Sequence, residues 1–252
     1  MFIEKISAMT KNNLTALIIG VSVLLSSLFL GYSFVNRNKK ENTISVTGLG
    51  KKDFTSDLIV WTGYFSKKNY NLKFAYAELD KDREALKTYL INKGIDEKVI
   101  VFSSVLINKD FESYFDPQTQ RTTNTFTGYT LTQNLNIESR EVDKIEGVSR
   151  KISEVISSGV EFYSNAPKYY YTKLAELKQS MIAQGTQDAK ERAEKIAENA
   201  GTSLGGLKKA VMGVFQITGQ NSSEEYSWGG SFNTLSKNKT ATITIKLDYE
   251  ID

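Results

Sequence analysis

The chain has 252 residues, with 32 Lys and Arg against 29 Asp and Glu, and it contains neither Cys nor His. Without Cys there is no disulfide framework, thiol nucleophile or thiolate metal site; without His, the commonest general base and the commonest metal ligand are missing together. Residues 1–40 carry Lys5, Lys11, Arg37, Lys39 and Lys40 against Glu4, which leaves 27 basic and 28 acidic groups beyond them, a body with no concentrated basic face for nucleic acid.

The first element is apolar. Leu14–Val35 runs for 22 residues without a charge. At about 1.5 Å per residue it reaches roughly 33 Å, enough to cross a hydrocarbon core of about 30 Å. It also lacks the polar stripe of a helix packed on a soluble core. A cleavable signal is the alternative, with Gly31-Tyr32-Ser33 as a small-x-small cleavage site, but the run exceeds the roughly 7–15 apolar residues of such peptides. The sequence therefore predicts a tail over 1–13, an anchor in membrane lipid over 14–35 and a polar linker over 36–42. Basic residues flank both ends, so the positive-inside count is nearly tied. A short tail is easily left in the cytoplasm, and the large domain is expected to face outward.

From residue 43 onward helix and strand patterns alternate. Thr43–Gly50 reads as a strand closed by glycines. Asp57–Ser66 is apolar on both faces, as a strand buried on both sides would be. Asn71–Lys93 is a helix with Leu72, Ala75, Leu79, Leu86 and Leu90 on one face and Gly94 beyond its end. Lys98–Ile107 reads as a strand, Asn108–Asn124 as a polar loop or hairpin tip, and Phe126–Ile137 as an alternating strand. A second helix is expected over Glu141–Ser157, and a third, the longest, over Lys168–Ala200 behind Pro167 and ahead of Gly201. Strands follow near Lys208–Ile217 and over Thr240–Ile251, where apolar residues alternate strictly with Thr, Lys, Asp and Glu. The pattern gives an α+β fold, a mostly antiparallel sheet packed with three helices, over 43–252. It can form one elongated domain or two fused lobes.

The segment AQGTQDAKERAEKIAENAGTSLG at 183–205 resembles the signature helix of the SIMPL-domain family. In the same order, ISVTGLGK at 44–51, YLINKGIDEKVIVFSSVLI at 89–107, GYTLTQNLNI at 128–137 and the terminal alternating strand are similar to its other segments. The resemblance covers roughly 43–251. It implies a bacterial, exported or membrane-anchored protein with a periplasmic domain. The implied role is non-enzymatic, in the cell envelope, linked to stress tolerance and exerted through self-association into a homo-oligomer. An extracytoplasmic module binding a small ligand is the alternative.

Alanines 189, 193, 197 and 200 make a smooth helical stripe for close packing. Glu191, Glu194 and Glu198 could suggest a cation site or an acid–base pair, but Glu191–Lys195 and Lys190–Glu194 stand at the i,i+4 spacing of a solvated face. Gly48-Leu49-Gly50 lacks the third glycine of a dinucleotide fingerprint, and the Gly201–Gly206 stretch lacks the Lys-Ser/Thr of a phosphate loop, so both read as turns. No catalytic, metal-ligating or cofactor-binding residue emerges. The candidate interaction residues are aromatic: Tyr169, Tyr170 and Tyr171 at the start of the long helix, and Tyr226, Trp228 and Phe232 in the polar loop Gly219–Asn238.

Overall fold

A computed structural model describes residues 2–37, 42–118 and 120–251. The first element, α1 (Phe2–Arg37), is a helix that extends beyond the apolar run on both sides. Over Ala16–Phe34 it is long and apolar enough to cross a membrane, as an anchor or a signal sequence would be, and none of that stretch is buried against the rest of the chain. Residues 38–41 of the expected linker lie outside the described residues.

The chain then builds two antiparallel sheets rather than one. β1 (Thr43–Thr55) belongs to the first, with three late strands, β8 (Leu204–Met212), β9 (Gln216–Gly219) and β10 (Asn238–Ile251). β10 is central, with β1 along one side and β8 and β9 along the other. The second sheet holds β2 (Leu58–Asn69), β3 (Ile100–Phe102), β4 (Leu106–Asp116), β5 (Arg121–Ser139), β6 (Phe162–Ser164) and β7 (Lys168–Tyr170) around the long central pair β2–β5. Helices α2 (Leu72–Asn92) and α3 (Val142–Lys151) cover the second sheet; α4 (Leu174–Ala200) covers the first. The described residues thus contain four α-helices: α1, and three packed on sheets as expected.

Each sheet has its own core. In the first, the alternation of β10 turns Ala241, Ile243, Ile245 and Leu247 inward against Met181, Ala189 and Ala193 of α4. In the second, Trp61 and Phe65 of β2 and Leu131, Leu135 and Ile137 of β5 meet Leu79, Leu86 and Leu90 of α2 and Ile145 of α3. The start of α2 is fixed by the Asn71 side chain, which accepts from the amides of Lys73 at 2.9 Å and Phe74 at 3.4 Å. α4 ends where Gly201 takes a left-handed φ of 71°.

Several expectations are corrected. Gly48 and Gly50 do not close β1, which runs on to Thr55; they are the points where α4 lies against the strand. β2 is buried on one face only. Ile59, Trp61 and Phe65 are buried, whereas Tyr64 on the other face is exposed and stacked on Tyr163, because α2 and α3 both pack on the Trp61 side. The stretch 98–107 breaks into a 3-10 turn, β3 and the start of β4. Of the two readings of 108–124, a polar loop or a hairpin tip, the structure has the hairpin, β4 with the start of β5; Thr119 lies outside the described residues. The second helix changes to 3-10 geometry at Ile152. The strand near 208–217 is two, β8 and β9, with a break at residues 213–215. Ala200, at the end of the small-residue stripe, is exposed, while Ala189, Ala193 and Ala197 are buried.

Lys168–Tyr171 is not helical. β7 pairs with Leu58–Val60, and α4 begins only at Leu174. The deciding contacts come from Asp57, whose carboxylate accepts from the Thr172 amide and the Thr172 hydroxyl, both at 2.7 Å, while its own amide donates to Tyr170. These long-range bonds satisfy a backbone that a helix over the same residues would have paired locally.

Candidate functional site

The middle of the loop between β9 and β10, Tyr226–Trp228, lies over the face of the first sheet opposite α4. Buried side chains of both strands tie down the loop backbone. Gln216, buried on β9, accepts from the amides of Ser227 at 3.3 Å and Ser231 at 2.7 Å, and donates to the Ser227 carbonyl at 2.7 Å. Glu224 accepts from the Gly219 amide at 3.1 Å and from the Asn233 side chain. Lys239, only 2% exposed, donates to the carbonyls of Asn233 at 2.8 Å and of Ser236. Burial pulls its ammonium down to about 8, opposed by the charge of Glu224. Phe232 bridges to Ile217, so the loop returns to the sheet.

The aromatic side chains of this loop nevertheless face water. Trp228 is 100% exposed, Tyr226 67% and Phe232 51%. Tyr226 and Trp228 wall a cavity of about 550 Å³ whose floor is the sheet, with Leu49, Val214, Thr242 and Thr244 among its lining residues. The structure thus brings two of the three predicted loop aromatics to one groove. The Tyr169–Tyr171 triplet is elsewhere. Tyr169 is buried in the second core, where burial first and Glu146 second raise its hydroxyl. Tyr171 packs on Phe54 at 4.7 Å, and Tyr170 is half-buried.

A second surface is backbone. β1 is an edge strand, and its outward amides alternate. Those of Leu49 and Lys51 donate to Asp188 at 2.8 Å and Gln184 at 3.2 Å, both on α4. The Leu49 amide, followed by Arg192, holds the Asp188 carboxyl below its ordinary range. The same alternation turns the amides of Ser45 and Thr47 outward, into a groove lined by Glu191, Arg192, Glu194 and Lys195. On α4, Lys190 pairs with Glu194 at 3.6 Å as expected; Lys195 reaches Glu198 at 3.5 Å and leaves Glu191 to Gln187 at 2.8 Å. No group of acidic side chains able to hold a metal occurs among the described residues.

A third surface was not legible in the sequence. Tyr70, Phe74, Phe111, Tyr114 and Phe115 are all exposed around the β4–β5 hairpin and the start of α2. Rings of Tyr70 and Phe111 each contact Phe126 edge-on, at 6.2 and 5.7 Å. The only available signal was the aromatic content of a stretch that otherwise reads as polar.

Two antiparallel sheets, each under helices, behind an N-terminal helix long and apolar enough to cross a membrane, define a mixed α+β protein. The SIMPL family, described as a protein of unknown function (DUF541), matches residues 44–247. That match covers well over half of the chain, which therefore belongs to this family. No curated protein matches it.

Proposed function

We propose that this is a membrane-anchored, non-enzymatic envelope protein whose domain lies outside the cytoplasm and self-associates as a scaffold through the edge of β1. The observation that carries the reading is the chemistry of that edge. Thr43–Thr47 has no charge, no proline and no bulge, and the amides of Ser45 and Thr47 face outward. Proteins normally blunt such an edge with charge or distortion. Here the other long edges are blunted: β4 carries Lys109, Asp110 and Glu112, and β8 carries Lys208 and Lys209 with a bulge against β10. The charges beside the β1 edge are of both signs, so a second copy can pair with them. Anchoring by α1, which ends a few residues before β1, holds copies in one plane and raises their effective concentration.

The test is the mass of the full chain in mild detergent, beside its Thr47→Pro variant and residues 41–252 alone. Proline removes an outward N–H and leaves the bonds to β10 in place. The full chain and the isolated domain are expected to form one discrete assembly, and Thr47→Pro to be monomeric with an unchanged far-ultraviolet spectrum. A monomeric full chain rejects the scaffold. Assembly only with residues 1–40 present assigns the contact to the helix.

A further inference from the structure

Trp228 presents an imbalance between what holds it and what it touches. The buried Gln216 fixes the loop backbone on either side of it, at Ser227 and Ser231, yet Trp228 is 100% exposed. A mobile loop tip could carry an exposed tryptophan without such bonding. On this anchored backbone the bare indole offers a large aromatic face, and tryptophan is among the side chains most enriched at the energetic centre of recognition surfaces.

The groove beneath it selects the chemistry. Its walls are the indole of Trp228 and the phenol of Tyr226; its floor is Leu49 with the hydroxyl-bearing Thr242 and Thr244. An apolar wall opposite a row of hydroxyls suits a ring that is itself amphipathic, with C–H groups on its faces and hydroxyls around its rim. Such a ring is a pyranose sugar. A lipid chain would leave the threonine floor unpaired.

Charge narrows the class further. Lys51 is the register partner of Thr242, and its alternation puts it on the same sheet face as Leu49. Lys246 lies two residues beyond Thr244 on that face. The groove is therefore bracketed by two cations. The acidic groups of the sheet itself stand one step further out, Asp53, held by Thr240 and Gln220, and Asp248; the overlying loop adds Glu225, next to Tyr226.

We propose that the outer face of the first sheet is a binding site for an acidic saccharide, with a sugar ring stacked on Trp228, hydroxyls on the threonine floor and carboxylates of the oligomer reaching Lys51 and Lys246 beyond either end of the floor. This is independent of the assembly argued above, since it uses the open face of the sheet and not its edge.

The probe is a short oligogalacturonate titrated into the full-length protein in mild detergent, by calorimetry and by tryptophan emission. The chain has two tryptophans. Trp61 is fully buried, so iodide quenching and the red edge of the emission report on Trp228. The expected result is saturable binding with a blue shift and loss of iodide access. Calorimetry should then show Trp228→Ala losing about tenfold or more in affinity, as central aromatic contacts do. Trp228→Tyr should retain part of it. Removing Lys51 and Lys246 together should abolish the preference for the acidic oligomer over a neutral chito-oligosaccharide.

The substituted side chains are exposed or on the open face, and unchanged melting of the variants checks that the fold is retained. Three results overturn the proposal: no binding at millimolar oligogalacturonate, affinity unchanged in Trp228→Ala, or equal binding of the neutral oligomer. A blue shift produced only by phosphatidylglycerol vesicles also overturns it, and makes the face a membrane contact.

Discussion

A methyl group on Gly48 would stand 2.1 Å from the Gly185 carbonyl oxygen and 2.4 Å from the Ala189 nitrogen, both on the backbone of α4. Neither atom can move without the helix. Gly48→Ala is therefore expected to cost about 1–3 kcal/mol or more, the range for overpacking a tight core, read from chemical denaturation. Gly147, within α3, has nothing within 4 Å of its Cβ position, and Gly147→Ala should stabilise by roughly 0.5–1 kcal/mol. Equal effects at the two sites would show that α4 does not pack as described. Asp188, which takes the Leu49 amide, supplies the pH-dependent counterpart. Its carboxyl is depressed from the ordinary 3.8, mainly by that bond and then by Arg192. A depressed carboxylate contributes stability that is complete above the ordinary value and lost as pH falls through the folded one. Asp188→Asn removes the titration, so melting temperatures of the variant should fall less steeply than those of the native chain below about pH 4.

Among the elements, legibility followed the locality of the forces. β10 was readable because its alternation is strict and one face is wet, and α2 because its apolar face, Asn71 and Gly94 all agree. The family could be named from five short segments in order, 44–51, 89–107, 128–137, 183–205 and the terminal strand, and the match over residues 44–247 agrees. Where the reading failed, a distant partner decided. Pro167 and three tyrosines ahead of a good helix read as its first turn; only the carboxylate of Asp57, over a hundred residues earlier, makes them a strand and a turn. Gly48 and Gly50 look like turn residues until the backbone of α4 is placed over them. The hairpin of β4 with the start of β5 stayed one of two readings, because charged and polar residues on both faces of β4 mark no period, whereas Phe126–Ile137 of β5 alternates. For the candidate surface, Tyr226, Trp228 and Phe232 stood out as aromatics in a polar loop. Their presentation over a threonine floor did not, since Gln216 and Lys239 read as ordinary strand residues until burial turns them into loop anchors.

At the level of the whole molecule, two cores are joined by a narrow seam. The Ser56 amide donates to Lys237 at 2.9 Å, and the Tyr169 amide donates to Thr234 at 2.7 Å. Lys237, from the loop of the first sheet, reaches Asp143 and, at 3.2 Å, Glu146 on α3 of the second. The carboxylates raise the Lys237 pKa, as expected of an ammonium gaining two partners, Asp143 before Glu146. Most apolar burial lies within each lobe, so cooperativity between them rests on these polar links and on the two chain connections, Ser56–Asp57 from β1 to β2 and Tyr171–Lys173 from β7 to α4. Hydrogen exchange in mild denaturant can read that coupling directly. In the native chain, amides of β10 and β5 should open with one free energy. In an Asp57→Ala, Lys237→Met double variant, Thr172 loses the carboxylate that accepts from it and α3 loses its cation, and the two sheets should separate in protection by more than about 1 kcal/mol. Protection that still coincides in the double variant would place the coupling in the β1–β2 and β7–α4 connections themselves, and the seam contacts would then be lining and not linkage.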